Sequence, residues 1–225
     1  MVSQEDYGRT LAYFAVPNHP HSFVLLPGRG KVLLSAPHAV LQTRNERVKY
    51  AERFTGMLCL LLNEHFGFPV IYKSRHLQDD ANHDAVSDYR NALCEHIKQT
   101  DIQCLLDLHQ LAPEREMDLC ICTGKGQNLR GHQPIVSIVE QGFRKHGLPS
   151  ITIDDPFDAS NPCTVSATVA RECGIPAVQL EINTRLLMES CPEYRFSAVF
   201  DALGDMTATL NEYDFSFPNR QEGRA

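Results

Sequence analysis

Two short apolar runs in this chain each end at a histidine. Residues 32–34 have the character of a buried strand that stops at Ser35-Ala36-Pro37, because proline lacks the N–H of a strand ladder, and His38 follows. Cys104–Leu111 repeats the pattern and carries His109 near its end. In open α/β sheets, ligands bind at the carboxyl edge of the strands. The sequence therefore predicts that both histidines lie at the ligand-binding edge of one sheet.

The rest of the chain alternates between strand-like and helix-like segments. This alternation predicts an α/β fold with a mostly parallel sheet, and 225 residues favour a single domain, with residues 1–22 and 216–225 peripheral. Residues 23–26 are predicted to be an edge strand that pairs with 32–35 across a turn at 27–30. Further strands are predicted at 70–72, 117–122, 150–153 and 177–182, and helices at 47–66, 85–98, 134–146, 164–173 and 197–210.

Composition narrows the class of partner. The net charge is −7, from 21 basic and 28 acidic residues, and no basic block is present, which argues against a nucleic-acid partner and favours a small molecule. No apolar run approaches the roughly 20 residues of a membrane span, and the first residues lack the apolar core of a signal peptide. We therefore expect a cytoplasmic protein without a membrane partner. Its eight cysteines lie largely in apolar segments and are expected to be reduced.

The two strand-end histidines, with one carboxylate, would complete the ligand set of a catalytic zinc that keeps one position open for water. The third ligand is expected from the segment after His38, where Glu46 and Glu52 are both candidates. Spacing alone does not separate them, and either can also be a solvated helix carboxylate. A single strand-end histidine can equally have a purely structural role. The pair makes a site with one zinc per chain the stronger hypothesis.

Glu181 is the second chemical signal, because it lies within the apolar run AVQLEI. An unpaired buried carboxylate is costly and tends to have a raised pKa, which suits a general base. The alternatives are a position at the solvent edge of the strand or an ion pair with Arg185. Arg75, Asn82 and Arg185 are candidates for binding a substrate carboxylate, which a guanidinium holds through two parallel hydrogen bonds.

Five motifs occur in an order that resembles the N-formylglutamate amidohydrolase family, a branch of the zinc-dependent carboxypeptidase-like hydrolases. They are SAPHAV, KYAERFTG, SRHLQDDANHD, DLHQL and TVSATVARECGIPAVQLEINTR, and they extend over residues 31–185. The resemblance implies a three-layer α/β/α fold with a central mixed sheet, like that of zinc-dependent exopeptidases and phosphorylase/hydrolase-like proteins. It also implies one zinc and hydrolysis of an amide next to a carboxylate.

Carried over by position, the resemblance assigns roles to individual residues. It makes His38 and His109 the histidine ligands, and the acidic ligand falls most naturally on Glu52. Glu181 matches the general base of the family. Arg75 and Asn82 fall where the family has its SR dipeptide and a following asparagine.

Together these features predict a metal-dependent amidohydrolase acting on an N-acyl or N-formyl amino acid such as N-formylglutamate. The substrate would be a small molecule with a free carboxylate. The alternatives are a metallocarboxypeptidase, a deacylase of another acylated amino acid, or a non-catalytic metal- or small-molecule-binding protein of the same fold. Glu181 separates these classes, because a binding protein does not need a carboxylate buried beside the metal.

Overall fold

The computed structural model describes residues 2–15 and 19–216. The predicted peripheral segment at the C-terminus lies outside these residues except for Ser216. The α-helices are α1 (Gln4–Ala15), α2 (Arg53–Phe66), α3 (Asp88–Gln99), α4 (Pro134–Lys145), α5 (Val165–Cys173) and α6 (Phe196–Glu212). The strands are β1 (Phe23–Leu26), β2 (Val32–Ala36), β3 (Gln42–Arg44), β4 (Arg47–Lys49), β5 (Val70–Lys73), β6 (Cys104–Leu111), β7 (Leu119–Cys122), β8 (Ile151–Ile153) and β9 (Ala177–Asn183).

Seven strands form one mixed sheet in the order β1-β5-β2-β6-β9-β7-β8. The four central strands β5, β2, β6 and β9 run parallel, β1 and β7 are antiparallel to their inner neighbours, and β8 is parallel to β7. Parallel neighbours bring their carboxyl ends to one edge, so the ends of β2, β6 and β9 meet there. The predicted α/β class with a mostly parallel sheet is confirmed.

Helices cover both faces of the sheet, which gives the expected three layers. Successive strand side chains point to opposite faces, so Leu34 belongs to a core cluster that includes side chains of α1, α2, α4 and α6, whereas Leu33 belongs to a cluster that includes side chains of α3 and α5. Near-continuous apolar strands such as β2, which is buried at every position, are what a sheet covered on both faces requires. In the described part of the chain, no helix is long and apolar enough to cross a membrane.

The predicted hairpin between the first two strands of the sheet is wrong. β1 pairs with β5, which lies between β1 and β2. The connection at 27–30 does not form a hairpin turn, because it packs against the turn that precedes β5. Arg29 N–H donates to the carbonyl of Gly67, and a Cβ on Gly28 would lie only 2.2 Å from Pro69 N.

The predicted start of the helix at 47–66 is also wrong. β3 and β4 form a two-stranded hairpin, and α2 begins only at Arg53. Asn45 and Glu46 form the hairpin turn with φ of 50° and 63°, the positive values that a tight turn between twisted strands requires. The hairpin moves Glu46 to an exposed turn and leaves Glu52 at the N-terminal end of α2.

α1 lies in a segment that the sequence predicts to be peripheral. Its Tyr7 and Phe14 are nevertheless buried in the same core as α2. The Tyr7 hydroxyl donates to the carbonyl of Leu187 at 3.0 Å, and its ring packs edge-on against Phe196. The aromatic side chains of α1 therefore extend the core beyond the sheet and its flanking helices.

Two helical glycines provide a matched test of this packing. A Cβ on Gly56 in α2 would lie 2.5 Å from the Phe14 ring and 2.6 Å from Ala39 Cβ, whereas a Cβ on Gly8 in α1 would meet nothing within 4 Å. We expect Gly56→Ala to lower the free energy of unfolding by about 1–3 kcal/mol through overpacking. Gly8→Ala should raise it by roughly 0.5–1 kcal/mol through helix propensity. Urea denaturation measures both, and a stabilising Gly56→Ala would contradict the α1–α2 contact.

Candidate metal centre

Three side chains from separate elements converge at the carboxyl edge of the sheet. His38 follows β2, Glu52 precedes α2, and His109 lies on β6. Glu52 bridges the two rings, with Oε1 2.9 Å from His38 Nδ1 and Oε2 3.2 Å from His109 Nδ1. One potential ligand atom from each residue lies within 4.8 Å of the others, so these three residues could together hold a metal ion.

Backbone contacts fix the bridging carboxylate. Glu52 N–H donates to the carbonyl of His38 at 2.8 Å, and Gln110 N–H donates to Glu52 Oε2 at 3.1 Å. The side-chain oxygen of Gln110 in turn accepts from Phe54 N–H in the first turn of α2. The helix start, the end of β2 and the end of β6 are thereby held in one arrangement.

Each histidine presents Nδ1 to Glu52 and binds a second carboxylate through Nε2. His38 Nε2 is 2.8 Å from Oδ1 of the buried Asp80, and His109 Nε2 is 3.1 Å from Oδ2 of the buried Asp107. Metal-binding histidines usually use the second ring nitrogen in this way, because the carboxylate fixes the tautomer and the ring orientation. The donor set and its support therefore fit a divalent ion that accepts nitrogen and oxygen ligands.

Electrostatics at the cluster favour the charged forms of the side chains. Burial lowers the pKa of both histidines, but the charge of Glu52 and the neighbouring aspartates outweigh burial and raise each pKa above its usual value. Burial raises the pKa of Glu52, yet the charges of His38 and His109 bring it below its usual value. An ion bound at both Nδ1 atoms would displace the Nδ1 proton of each ring and leave each Nε2–H to donate to its aspartate.

Glu181 lies beside this cluster on β9, in register with His109 on β6. Its side chain lines the same cavity but is only 8% exposed, and Gln179 Nε2 donates to its Oε1 at 2.8 Å. Burial raises the pKa of Glu181 to about 7, and the charges of the two histidines oppose the rise. The alternative ion pair with Arg185 is not formed, because Arg185 binds Asp118 at 2.9 Å.

A chain of amide groups leads from α5 to Glu181. Val165 N–H donates to Asn82 Oδ1 at 2.6 Å, and Asn82 Nδ2 donates to Gln179 Oε1 at 3.3 Å. These contacts orient the Gln179 amide so that its nitrogen faces Glu181. Asn82 lines the cavity, as a substrate-binding residue must, but its carbonyl oxygen is already occupied.

The sequence predicts that Arg75 and Arg185 bind a substrate carboxylate, but the structure places neither in the lining of the cavity. Arg75 is exposed beyond the end of β5. The guanidinium of Arg185 donates to the carbonyls of Arg115 and Glu116 in addition to Asp118, so its donors are used elsewhere.

The cavity has a volume of about 900 Å³, and the arginine in its lining is Arg44 from the β3–β4 hairpin. Arg44 Nε donates to Asp80 Oδ2 at 2.8 Å and so belongs to the support of His38. The sequence did not predict four residues of this site: Arg44, Asp80, Asp107 and Gln179. Asp107 and Gln179 had a usable signal, because each lies two positions before a predicted site residue on the same strand face.

Comparisons with known proteins define the fold. No protein-family model matches the chain, and no curated protein matches its sequence. A bacteriophage poly-gamma-glutamate hydrolase has a TM-score of 0.57 at 12% identity, with 88% of this chain and 93% of that chain covered. A metallo-carboxypeptidase from Burkholderia cenocepacia has a TM-score of 0.55 at 11% identity, with 94% and 69% covered.

A succinylglutamate desuccinalase from Vibrio parahaemolyticus is also similar, with a TM-score of 0.50, 12% identity and coverage of 83% of this chain and 71% of that chain. The chain has a metallo-carboxypeptidase-like α/β fold. At these identities the similarity establishes the fold alone. The closer resemblance to N-formylglutamate amidohydrolases stays a prediction from the sequence.

The choice between the two candidate glutamates can be tested by metal content. Because Glu52 contacts both histidines and Glu46 lies in an exposed turn, Glu52→Ala, His38→Ala and His109→Ala should each lose stoichiometric metal after loading with zinc and desalting. Glu46→Ala is the matched control and should keep about one ion per chain. Elemental analysis provides the measurement. Retention by Glu52→Ala with loss by Glu46→Ala would reverse the assignment.

Proposed function

We propose that this protein is a zinc-dependent hydrolase that cleaves the amide bond of an N-acyl amino acid, with N-formylglutamate as the first candidate substrate. One observation carries the proposal: the cluster of His38, Glu52 and His109 shares a cavity with the buried carboxylate of Glu181. A ligand set with an open side, next to a carboxylate that can change its protonation state near neutral pH, is the arrangement that metal-assisted hydrolysis requires.

The proposed roles of the side chains follow from their positions. His38, His109 and Glu52 would hold one zinc, with Asp80 and Asp107 keeping the rings in place. When bound, the zinc would supply Lewis acidity that polarises the scissile carbonyl and lowers the pKa of water. Glu181 is the proposed general base. Its Oε1 is held by Gln179, which leaves Oε2 to take a proton from the attacking water and deliver it to the leaving nitrogen.

The substrate class has separate support. Two of the similar structures described above are named for glutamate-containing compounds, poly-gamma-glutamate and succinylglutamate. A small molecule with a free carboxylate also fits a cavity whose lining includes an arginine. A metallocarboxypeptidase, or a deacylase of a larger acyl group, is the second candidate. It is favoured by the cavity volume of about 900 Å³, which leaves room for more than a formyl group.

Glu181→Gln separates an enzyme from a metal-binding protein of the same fold. The substitution keeps the shape and an acceptor for Gln179 but removes the proton acceptor, so zinc content and melting temperature should be preserved. We expect kcat to fall by about 10²–10⁴-fold with a much smaller change in KM. Burial gives Glu181 a pKa of about 7 in the metal-free site, and a bound cation lowers this pKa, so wild-type kcat/KM should decline at a more acidic pH as Glu181 becomes protonated. The variant should lack this acidic limb.

Glu172→Gln, an exposed position on α5, is the matched control and should behave as wild type. Zinc content, melting temperature and turnover of a panel of N-acyl amino acids are measured on one preparation of each protein. Near-wild-type kcat in Glu181→Gln would end the case for Glu181 as general base. A zinc-loaded wild-type protein that hydrolyses no member of the panel would contradict the proposed function.

A further inference from the structure

The guanidinium of Arg44 makes a hydrogen bond through Nε, but its two terminal nitrogens make none with the residues that the structure describes. Its Nε donates to Asp80 Oδ2, while the other oxygen of the same carboxylate binds His38 Nε2. Asp80 is fully buried, whereas the side chain of Arg44 is 30% exposed and lines the cavity. Among the residues that the structure describes, none accepts a hydrogen bond from the two terminal nitrogens of Arg44.

This arrangement suits the recognition of a planar anion. A guanidinium is flat, and a hydrogen bond at Nε to a buried carboxylate restricts the direction in which the remaining donors point. With Nε occupied, the two terminal nitrogens Nη1 and Nη2 form the available edge, which matches the two oxygens of a carboxylate. The fork formed by Nη1 and Nη2 of Arg44 therefore needs little reordering to accept a carboxylate.

The other cationic candidates are less suitable. Lys49 also lines the cavity, but it lies on β4, a strand exposed at every position, and a lysine binds an anion as a point charge. Arg75 and Arg185 lie outside the cavity lining. The hairpin that carries Arg44 is itself fixed, because Thr43 N–H donates to the carbonyl of Asp79, and the Thr43 hydroxyl lies 2.9 Å from His76 Nε2.

We propose that Arg44 binds the free carboxylate of the substrate through Nη1 and Nη2 while its Nε keeps Asp80 against His38. This inference rests on the proposed function and deepens it, because it assigns specificity for an anionic substrate to a residue on the hairpin. It also links the two parts of the site. One carboxylate, Asp80, connects the group that recognises the substrate to a candidate metal ligand.

The test compares an N-acyl amino acid with its carboxamide in zinc-loaded wild type, Arg44→Gln and Arg44→Lys. Arg44→Gln removes both terminal nitrogens and should lower kcat/KM for the carboxylate substrate by about 10- to 100-fold, mainly through KM. The kcat/KM for the carboxamide should change much less. Arg44→Lys should recover part of the loss, because it restores the charge without the fork. Arg171→Gln, on the exposed face of α5, is the control and should keep the wild-type preference.

If Arg44 had a purely structural role, its substitution would lower kcat/KM for both substrates by the same factor. This result would overturn the proposal. Loss of the preference in Arg75→Gln with Arg44→Gln unaffected would overturn it as well. Calorimetric titration of N-acetylglutamate and its diamide into the zinc-loaded proteins is independent of turnover. If the protein binds the acid in an Arg44-dependent manner but shows no hydrolytic activity, the proposed function is contradicted and the role of Arg44 is supported. Equal binding of acid and diamide by wild type would overturn that role.

Discussion

The bridge made by Glu52 between His38 and His109 is the interaction on which the rest of the site depends. Two buried, protonated histidines and one partly buried carboxylate would each be unfavourable in isolation, because burial disfavours the charged form of each group. Together they compensate one another, and backbone hydrogen bonds to His38 and from Gln110 hold the carboxylate between the two strand ends. Removing Glu52 would leave two histidines facing each other, with ring centroids 4.7 Å apart, without their shared counter-charge.

The bridge explains why the elements around it have their observed form. β2 ends at Ala36 because Pro37 cannot continue the strand, and the hairpin of β3 and β4 then brings the chain back so that Glu52 N–H donates to the carbonyl of His38. The same hairpin delivers Arg44 to Asp80. The segment from His38 to Glu52 therefore supplies both the acidic member of the cluster and the arginine of the cavity lining.

The sequence predicted those parts of the site that depend on strand periodicity. β6 lies in the segment where a strand ending at His109 was predicted and continues two residues further to Leu111, and in-register pairing of β6 with β9 brings His109 and Glu181 together as parallel neighbours. The residues of the site that the sequence did not predict, such as Asp80 and Arg44, reach it through long-range contacts. Strand periodicity does not encode such contacts. Asp80 lies in a polar loop with no repeating pattern. The hairpin lies directly before a helical pattern, and this pattern led to the prediction of a helix from residue 47. The hairpin was therefore not predicted, and neither was the position of Arg44.

Anomalous diffraction at the zinc edge tests most directly whether His38, Glu52 and His109 bind one metal ion. On crystals of the zinc-loaded protein, the account predicts a single strong anomalous peak, bonded to His38 Nδ1, His109 Nδ1 and an oxygen of Glu52 at about 2.0–2.2 Å. A fully occupied peak on other side chains would contradict the account. So would an intact Glu52 bridge between the histidines, without an anomalous peak, in crystals of protein shown to contain one zinc per chain.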